Sequence, residues 1–265
     1  MLERLILEVL FADDCAPMTH KESDLQLIVN KSDEVTCLFG LTISLGKTEV
    51  LFQPDPRSAA LPAFISIEGA ELKPVDEFKH FGSVIASDGS LDKETNNSIC
   101  KANQVVGHLR ARVSNQHNVR QSTKLKVYKA VVLTNLLYEC KTWTLYRKHV
   151  KLLERFRTLS LRSILYTEWQ DRVMNLEVLD RAGTTSTEAT ILKAQLCWAE
   201  HVIRMEESRV PKQLLYGELF QGKRNQGGPC KRYKDCVKTN IAPAGLKPKQ
   251  LEQHAEDQTG WRALV

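Results

Sequence analysis

Two adjacent carboxylates, Asp13 and Asp14, are the residues best equipped for chemistry. They follow Leu5-Ile6-Leu7-Glu8-Val9-Leu10-Phe11, an apolar run that reads as a buried strand entering a tight turn. Side chains alternate along a strand, so neighbouring aspartates face opposite ways unless a turn relaxes the alternation. Carboxylates on such a support suit a hard cation such as Mg²⁺, which takes few protein oxygens and completes its shell with water and phosphate. That is the equipment of two-metal phosphoryl transfer. The pair equally fits an ordinary turn, because Asp accepts local backbone hydrogen bonds. A second group is cationic. Lys223, Arg224, Lys231, Arg232, Lys234 and Lys238 are opposed only by Asp235 and spaced by Gly222, Gly227, Gly228 and Pro229. With Tyr233 as a stacking ring, this stretch suits nucleic-acid phosphates; a solvated linker is the alternative. Cys230, Cys236 and His254 fall short of a zinc site, lacking a close cysteine pair and a fourth ligand.

The elements that must position these groups follow from periodicity. Leu5 to Met18 reads as strand, turn and strand, with Pro17 disturbing the second strand because it has no N–H to donate. Thr19-His20-Lys21-Glu22 has the form of a capping box. It opens a helix with Leu25, Ile28, Val35 and Leu38 on one face, ended at Gly40. Leu41 to Phe52 reads as a strand pair around Gly46-Lys47. Phe64 to Ile67 and Phe78 to Ile85 read as strands of a small antiparallel unit, closed by the Asp88-Gly89 turn. From Leu91 the pattern becomes helical. Ile99, Ala102, Val106 and Leu109 form one stripe, Leu125, Tyr128, Val132 and Leu136 another after a cap at Ser122 or Thr123, and Val150, Leu153, Phe156 and Ile164 a third. Lys101, Arg110, Arg112, Arg120, Lys124 and Lys126 cluster in the first two of these helices. Asn175 can cap a short helix that Gly183 ends, and Thr185-Ser186-Thr187-Glu188 is a second capping box.

The chain of 265 residues has a net charge of +5 and a pI of about 8.8, which permits an acidic partner without demanding one. Hydrophobic content of 42% is ordinary for a globular protein. Seven scattered cysteines argue against a disulfide framework and for a reducing, intracellular setting, nucleus or cytoplasm. No apolar run is long enough to span a membrane, and the first residues do not read as a secretory signal.

Several motifs, in order, carry a family likeness. Phe11-Ala12-Asp13-Asp14 resembles the aromatic-Ala-Asp-Asp motif of reverse transcriptases. Phe39-Gly40-Leu41-Thr42-Ile43-Ser44 with Lys47-Thr48-Glu49 resembles the next palm motif. Phe78-Lys79-His80-Phe81-Gly82-Ser83 resembles the primer grip. Leu137-Tyr138-Glu139-Cys140-Lys141-Thr142-Trp143, Leu196-Cys197-Trp198-Ala199-Glu200-His201-Val202 and Gly222-Lys223-Arg224 are similar to stretches of non-LTR (LINE-type) retrotransposon polymerases. The chain therefore resembles the C-terminal part of such a reverse transcriptase: the end of the palm, the thumb and the C-terminal region.

The resemblance implies an RNA-directed DNA polymerase with Mg²⁺ as cofactor and an RNA template and DNA primer as partners. It places catalytic and metal-binding roles on Asp13 and Asp14. It gives Lys47 assistance to the leaving pyrophosphate, with a solvated turn lysine as the alternative. Primer contact falls on Phe78, Gly82 and Ser83, and phosphate contact on Lys223, Arg224, Lys231 and Arg232. The expected fold is α+β. A remnant of antiparallel palm sheet occupies residues 1–90, a helical thumb 91–168, and a helical C-terminal region with a basic tail 169–265. A third carboxylate and the fingers would lie before Met1, so the expectation is a fragment inactive alone. The alternative is a non-catalytic nucleic-acid-binding or interaction module.

Overall fold

The structure, a computed structural model, describes residues 8–54, 64–217, 231–242, 245 and 251–264. It is α+β, and the chain divides into two compact units, Met1–Lys93 and Glu94–Val265.

The first unit holds all eight described strands and the helix α1 (Glu22–Leu38). Strands β1 (Glu8–Phe11) and β2 (Asp14–Pro17) form a hairpin with Phe11 opposite Asp14. Pro17 pairs with Glu8 at the last rung, the strand position where a missing N–H disturbs the ladder least. Two more hairpins follow, β4 (Ser66–Ile67) with β5 (Ala70–Glu71), and β7 (Glu77–His80) with β8 (Ser83–Ala86). Their loops, Glu68-Gly69 and Phe81-Gly82, have positive φ at both residues, the geometry whose twist matches paired strands. Gly82, at φ +87°, is thus the second residue of a tight turn.

Two expectations change here. The strands form four two-stranded pairs rather than one sheet, and β3 (Glu49–Leu51) pairs in parallel with β6 (Lys73–Val75). Residues 41–44 are not a strand. The backbone N–H groups of Lys47 and Thr48 and the Thr48 hydroxyl all donate to the Ser44 carbonyl, so this turn satisfies itself without a hairpin partner.

Helix α1 starts two residues later than a Thr19 cap would place it. The Thr19 hydroxyl donates to the Lys21 carbonyl, and the Glu22 carboxylate accepts the N–H of Phe64 instead of closing a box. The predicted stop is present. Gly40 at φ +69° donates to Cys37 and Leu41 donates to Thr36, the paired bonds of a Schellman motif. Leu25 and Val29 pack with Ile43 on a core of Val50, Ile65, Ile67 and Leu72. Val35 and Leu38, expected on the same buried face, are exposed. The Gln26 side chain both donates to and accepts from the backbone of Ser66, standing in for a neighbouring strand at the edge of β4.

The second unit is helical. Helix α2 (Asp92–Leu109) crosses the division and runs into a π segment, Arg110–Ser114. Helices α3 (Gln121–Val127) and α4 (Leu133–Leu136) are joined by a second π segment, Tyr128–Val132. Tyr128, Val132 and Leu136 are buried as their spacing predicts, although the cap is Arg120 rather than Ser122 or Thr123. Helix α5 (Arg147–Leu165) buries Leu153, Leu161 and Ile164. Helix α6 (Asn175–Arg181) ends in another Schellman pair at Gly183 and Thr184. Its Asn175 accepts from Arg162 instead of capping. Ser186, one residue after the expected Thr185, caps α7 (Thr187–Ile203) by accepting from Ala189. Around α7 lie α8 (Val210–Tyr216), α9 (Tyr233–Asn240), α10 (Leu251–Glu256) and α11 (Gln258–Leu264). Leu196, Ala199, Val237, Ile241 and Trp261 form one core there, and Val202, Ile203, Leu215 and Ala255 another.

Candidate metal-binding tip and nucleic-acid interface

Asp13 lies in the loop between β1 and β2, and Asp14 opens β2. Ala12, beside them, is held at φ +51°. Both aspartates are exposed, so their carboxylates face solvent at the tip of a two-stranded hairpin. Their oxygens are the donor type that a hard cation takes alongside water and phosphate. Among the described residues the one grouping of three or more potential ligand side chains is elsewhere: Asp33 and Cys37 of α1 with Glu68. Its thiol is a soft donor and does not suit Mg²⁺.

An aromatic chain links this tip to the turn of β7 and β8. The Phe11 ring meets the Phe81 ring edge-on at 5.1 Å, Phe81 lies 4.1 Å from His80, and His80 stacks on Phe78 at 6.0 Å. The primer-grip-like segment with Phe78, Gly82 and Ser83 thus sits beside the Asp13-Asp14 hairpin. Lys47 is exposed in its turn and forms no ion pair with either aspartate among the described residues.

The basic segment comes out differently from its sequence reading. Lys223 and Arg224 lie outside the described residues. Lys231 donates to the Leu145 carbonyl and sits over the Tyr146 ring, while Arg232 pairs with Asp235 at 3.3 Å. Tyr233 is no stacking platform. It opens α9 and packs against both cores around α7, and burial pushes its hydroxyl pKa up. Among the helical cations, Lys124 is also structural: it is buried, and its ammonium donates to the Ser114 carbonyl at 2.6 Å and the Tyr166 hydroxyl at 2.7 Å.

What remains is a distribution of charge. The first unit has 8 Lys and Arg against 16 Asp and Glu; the second has 29 against 16. Their net charges are therefore −8 and +13. Within the second unit, residues 95–167 contain 14 Lys and Arg and only two acids, Glu139 and Glu154. Both acids are engaged, Glu139 with Lys141 and Glu154 with the Thr187 N–H. Arg110, Arg112, Arg120, Lys126, Lys151 and Arg155 are exposed. Exposed cations so little opposed by acids give this stretch a positive surface potential.

Comparison with family models, curated proteins and solved structures finds no match.

One pocket of the second unit is lined by polar groups that are already engaged within the protein. It is a cavity of about 290 Å³ between α5, α7 and α9. Gln195 on its wall donates to the Cys140 and Trp143 carbonyls and accepts from Asn240, and Arg147 is paired with Glu188. The nearby Cys140 thiol is pushed up to about 11 by burial, so it is a packing group rather than a nucleophile.

Proposed function

We propose that the chain is a segment of an RNA-directed DNA polymerase of the non-LTR retrotransposon type. Its own contribution is to hold nucleic acid. The observation that supports the nucleic-acid part of this reading is the set of exposed cations within residues 95–167, Arg110, Arg112, Arg120, Lys126, Lys151 and Arg155, against two engaged acids. Phosphate contact needs cations at spaced positions and no sequence reading. The exposed set Arg110, Arg112, Arg120 and Lys126 supplies them.

The hairpin tip supports the polymerase part of the proposal. Asp13 and Asp14 would hold a Mg²⁺ ion, which when bound supplies charge stabilisation at a transferring phosphoryl group. The hairpin fixes the two carboxylates. The rings of Phe11 and Phe81 hold it against the Phe81-Gly82 turn, where Gly82, having no side chain, would let a primer strand approach its backbone. Two-metal transfer in this family uses three carboxylates, and the described tip brings together two, so the chain alone is not expected to extend a primer.

The test is binding of labelled RNA and DNA across a salt series, together with a magnesium-dependent primer-extension assay. The expected result is binding that weakens steeply with salt, no extension, and no effect of Asp13→Ala on binding. Extension abolished by Asp13→Ala would show instead that the two carboxylates suffice. Binding that is insensitive to salt, or absent at low salt, would overturn the nucleic-acid reading.

A further inference from the structure

We infer that the outward face of α5 and the turn after it form a track for single-stranded nucleic acid, with Trp169 as its base-stacking platform. The inference rests on the nucleic-acid reading above and names where and in what form the strand is held.

Helical spacing places Lys148, Lys151, Leu152, Arg155, Leu159 and Tyr166 along one stripe, and all six are exposed. Leu153, Arg157, Leu161 and Ile164 occupy the opposite, buried side. The one acid of the helix, Glu154, lies off the stripe and accepts the Thr187 N–H at 2.7 Å. The stripe from Lys148 to Tyr166 is about 27 Å long at the rise of an α-helix. It is cationic, and it alternates charge with apolar side chains. Phosphates match the cations, and sugar and base faces match Leu152 and Leu159.

The helix ends on two exposed rings. Tyr166 is 59% exposed and Trp169 is 83% exposed, an unusual position for the largest apolar side chain. Tyr166 is held as the left-handed C-cap of α5, where glycine is the common choice, and Arg172 is left-handed on the other side of the turn. Such non-glycine positions persist only where the surroundings over-determine them, and they gather at binding sites. The Tyr166 hydroxyl is fixed between the Lys124 ammonium and the Ser114 carbonyl, so its ring cannot swing away. Glu168 and Asp171 flank Trp169, and the Asp171 carboxylate accepts the Glu168 N–H. Anions beside the ring disfavour a phosphate there but not a base. This divides the labour: phosphates along α5, a base on Trp169. Bases in a duplex are already stacked and offer no face, which selects a single strand.

The experiment uses the full chain with a fluorescent oligothymidine strand and a duplex of equal length. Of the four tryptophans, Trp143 and Trp261 are buried and Trp198 is partly buried, so Trp169, the one largely exposed ring, is the most open to quenching, and its share is read as the quenching lost in Trp169→Ala. The single strand should bind tighter than the duplex and quench that emission. Trp169→Ala should weaken single-strand binding about ten-fold with little effect on the duplex. Lys151→Gln with Arg155→Gln should lower the slope of log affinity against log salt by about 1.4 for the single strand. Unchanged circular dichroism checks the fold of each variant. Equal affinity for strand and duplex, with Trp169→Ala silent, overturns the inference. So does loss of binding in Arg110→Gln, Arg112→Gln, Arg120→Gln while the α5 changes do nothing; that outcome leaves the broader reading intact. Binding to phosphatidylserine vesicles that falls with the α5 changes, while the strand is ignored, overturns both readings.

Discussion

The two units bury their apolar residues to very different degrees. In the second, α7 is wrapped by α8 to α11, and its large side chains, Trp261, Leu196 and Ile241 among them, are inside. In the first, the strands are short and paired in twos, and Leu10, Phe11, Leu38 and Phe39 stay largely exposed, Leu38 at 85%. Two-stranded pairs have little independent stability, because each strand has one neighbour and one open edge. The difference shows that helical spacing generates a closed core from local sequence alone, whereas a strand needs a partner that the local sequence does not specify. The charge split of −8 and +13 follows the same division. The unit that carries the acidic tip is the loosely packed one, and the unit that carries the cations is the well-packed one.

The largest effect that would break this contrast is expected at Arg157. It is fully buried, and its guanidinium donates to the hydroxyls of Thr184, Thr187 and Thr190, tying α5 to the start of α7. Burial lowers its pKa, but an arginine remains charged at neutral pH. Arg157→Ala leaves three hydroxyls without this donor and opens a cavity. The expected loss is roughly 3–5 kcal/mol in the second unit, read by denaturant unfolding. Arg157→Lys should recover only part of it, because one ammonium cannot reproduce the fork. A melt in which the first unit unfolds at the same lowered midpoint would show that the two are one cooperative body.

A smaller effect tests the first unit. Gln26→Ala removes both bonds to the Ser66 backbone, leaving a part-buried N–H and C=O at the edge of β4. The expected cost is about 1–2 kcal/mol. Gln26→Glu keeps the acceptor for the Ser66 N–H but loses the donor to its carbonyl, so it should cost nearly as much. Hydrogen exchange at Ser66 reads the change directly. If neither variant speeds exchange, the amide is not what holds that edge.

How far these features were legible in the sequence depends on whether their cause is local. The stops of α1 and α6 were readable, because Gly40 and Gly183 are the residues a left-handed position favours. The hairpin of Asp13 and Asp14 was readable from an apolar run meeting a turn, but the burial expected of that strand was not found: Val9, Leu10 and Phe11 are exposed. The parallel pairing of β3 with β6 was not, since nothing within 41–52 names a strand more than twenty residues away. Tyr233 misled for a similar reason. Cations surround it in the chain, yet α9 turns its ring into the core around α7. Trp169 carried no periodic signal at all, because a turn residue is placed by what precedes it. The scarcity of acids from 95 to 167 was visible throughout, and counting by compact unit rather than over the whole chain brings it out.

The smallest effect concerns Tyr128, in the π segment between α3 and α4. Its hydroxyl is buried and makes no hydrogen bond within the protein, and burial raises its pKa to about 12, with Arg157 opposing that rise. A raised folded pKa means that the neutral phenol is the form the fold accommodates. Its contribution is fully present below the unfolded value near 10 and is lost as pH climbs from there through about 12. Stability of the second unit should therefore fall in that alkaline window. Tyr128→Phe deletes the unpaired hydroxyl and keeps the ring, so at neutral pH it should change stability by less than about 1 kcal/mol. It should also soften the alkaline fall without abolishing it, since Tyr216 and Tyr233 are raised as well. A large loss at neutral pH would mean instead that the hydroxyl has a partner, such as a bound water bridging to the Arg157 Nε, which is also without a bond to the protein.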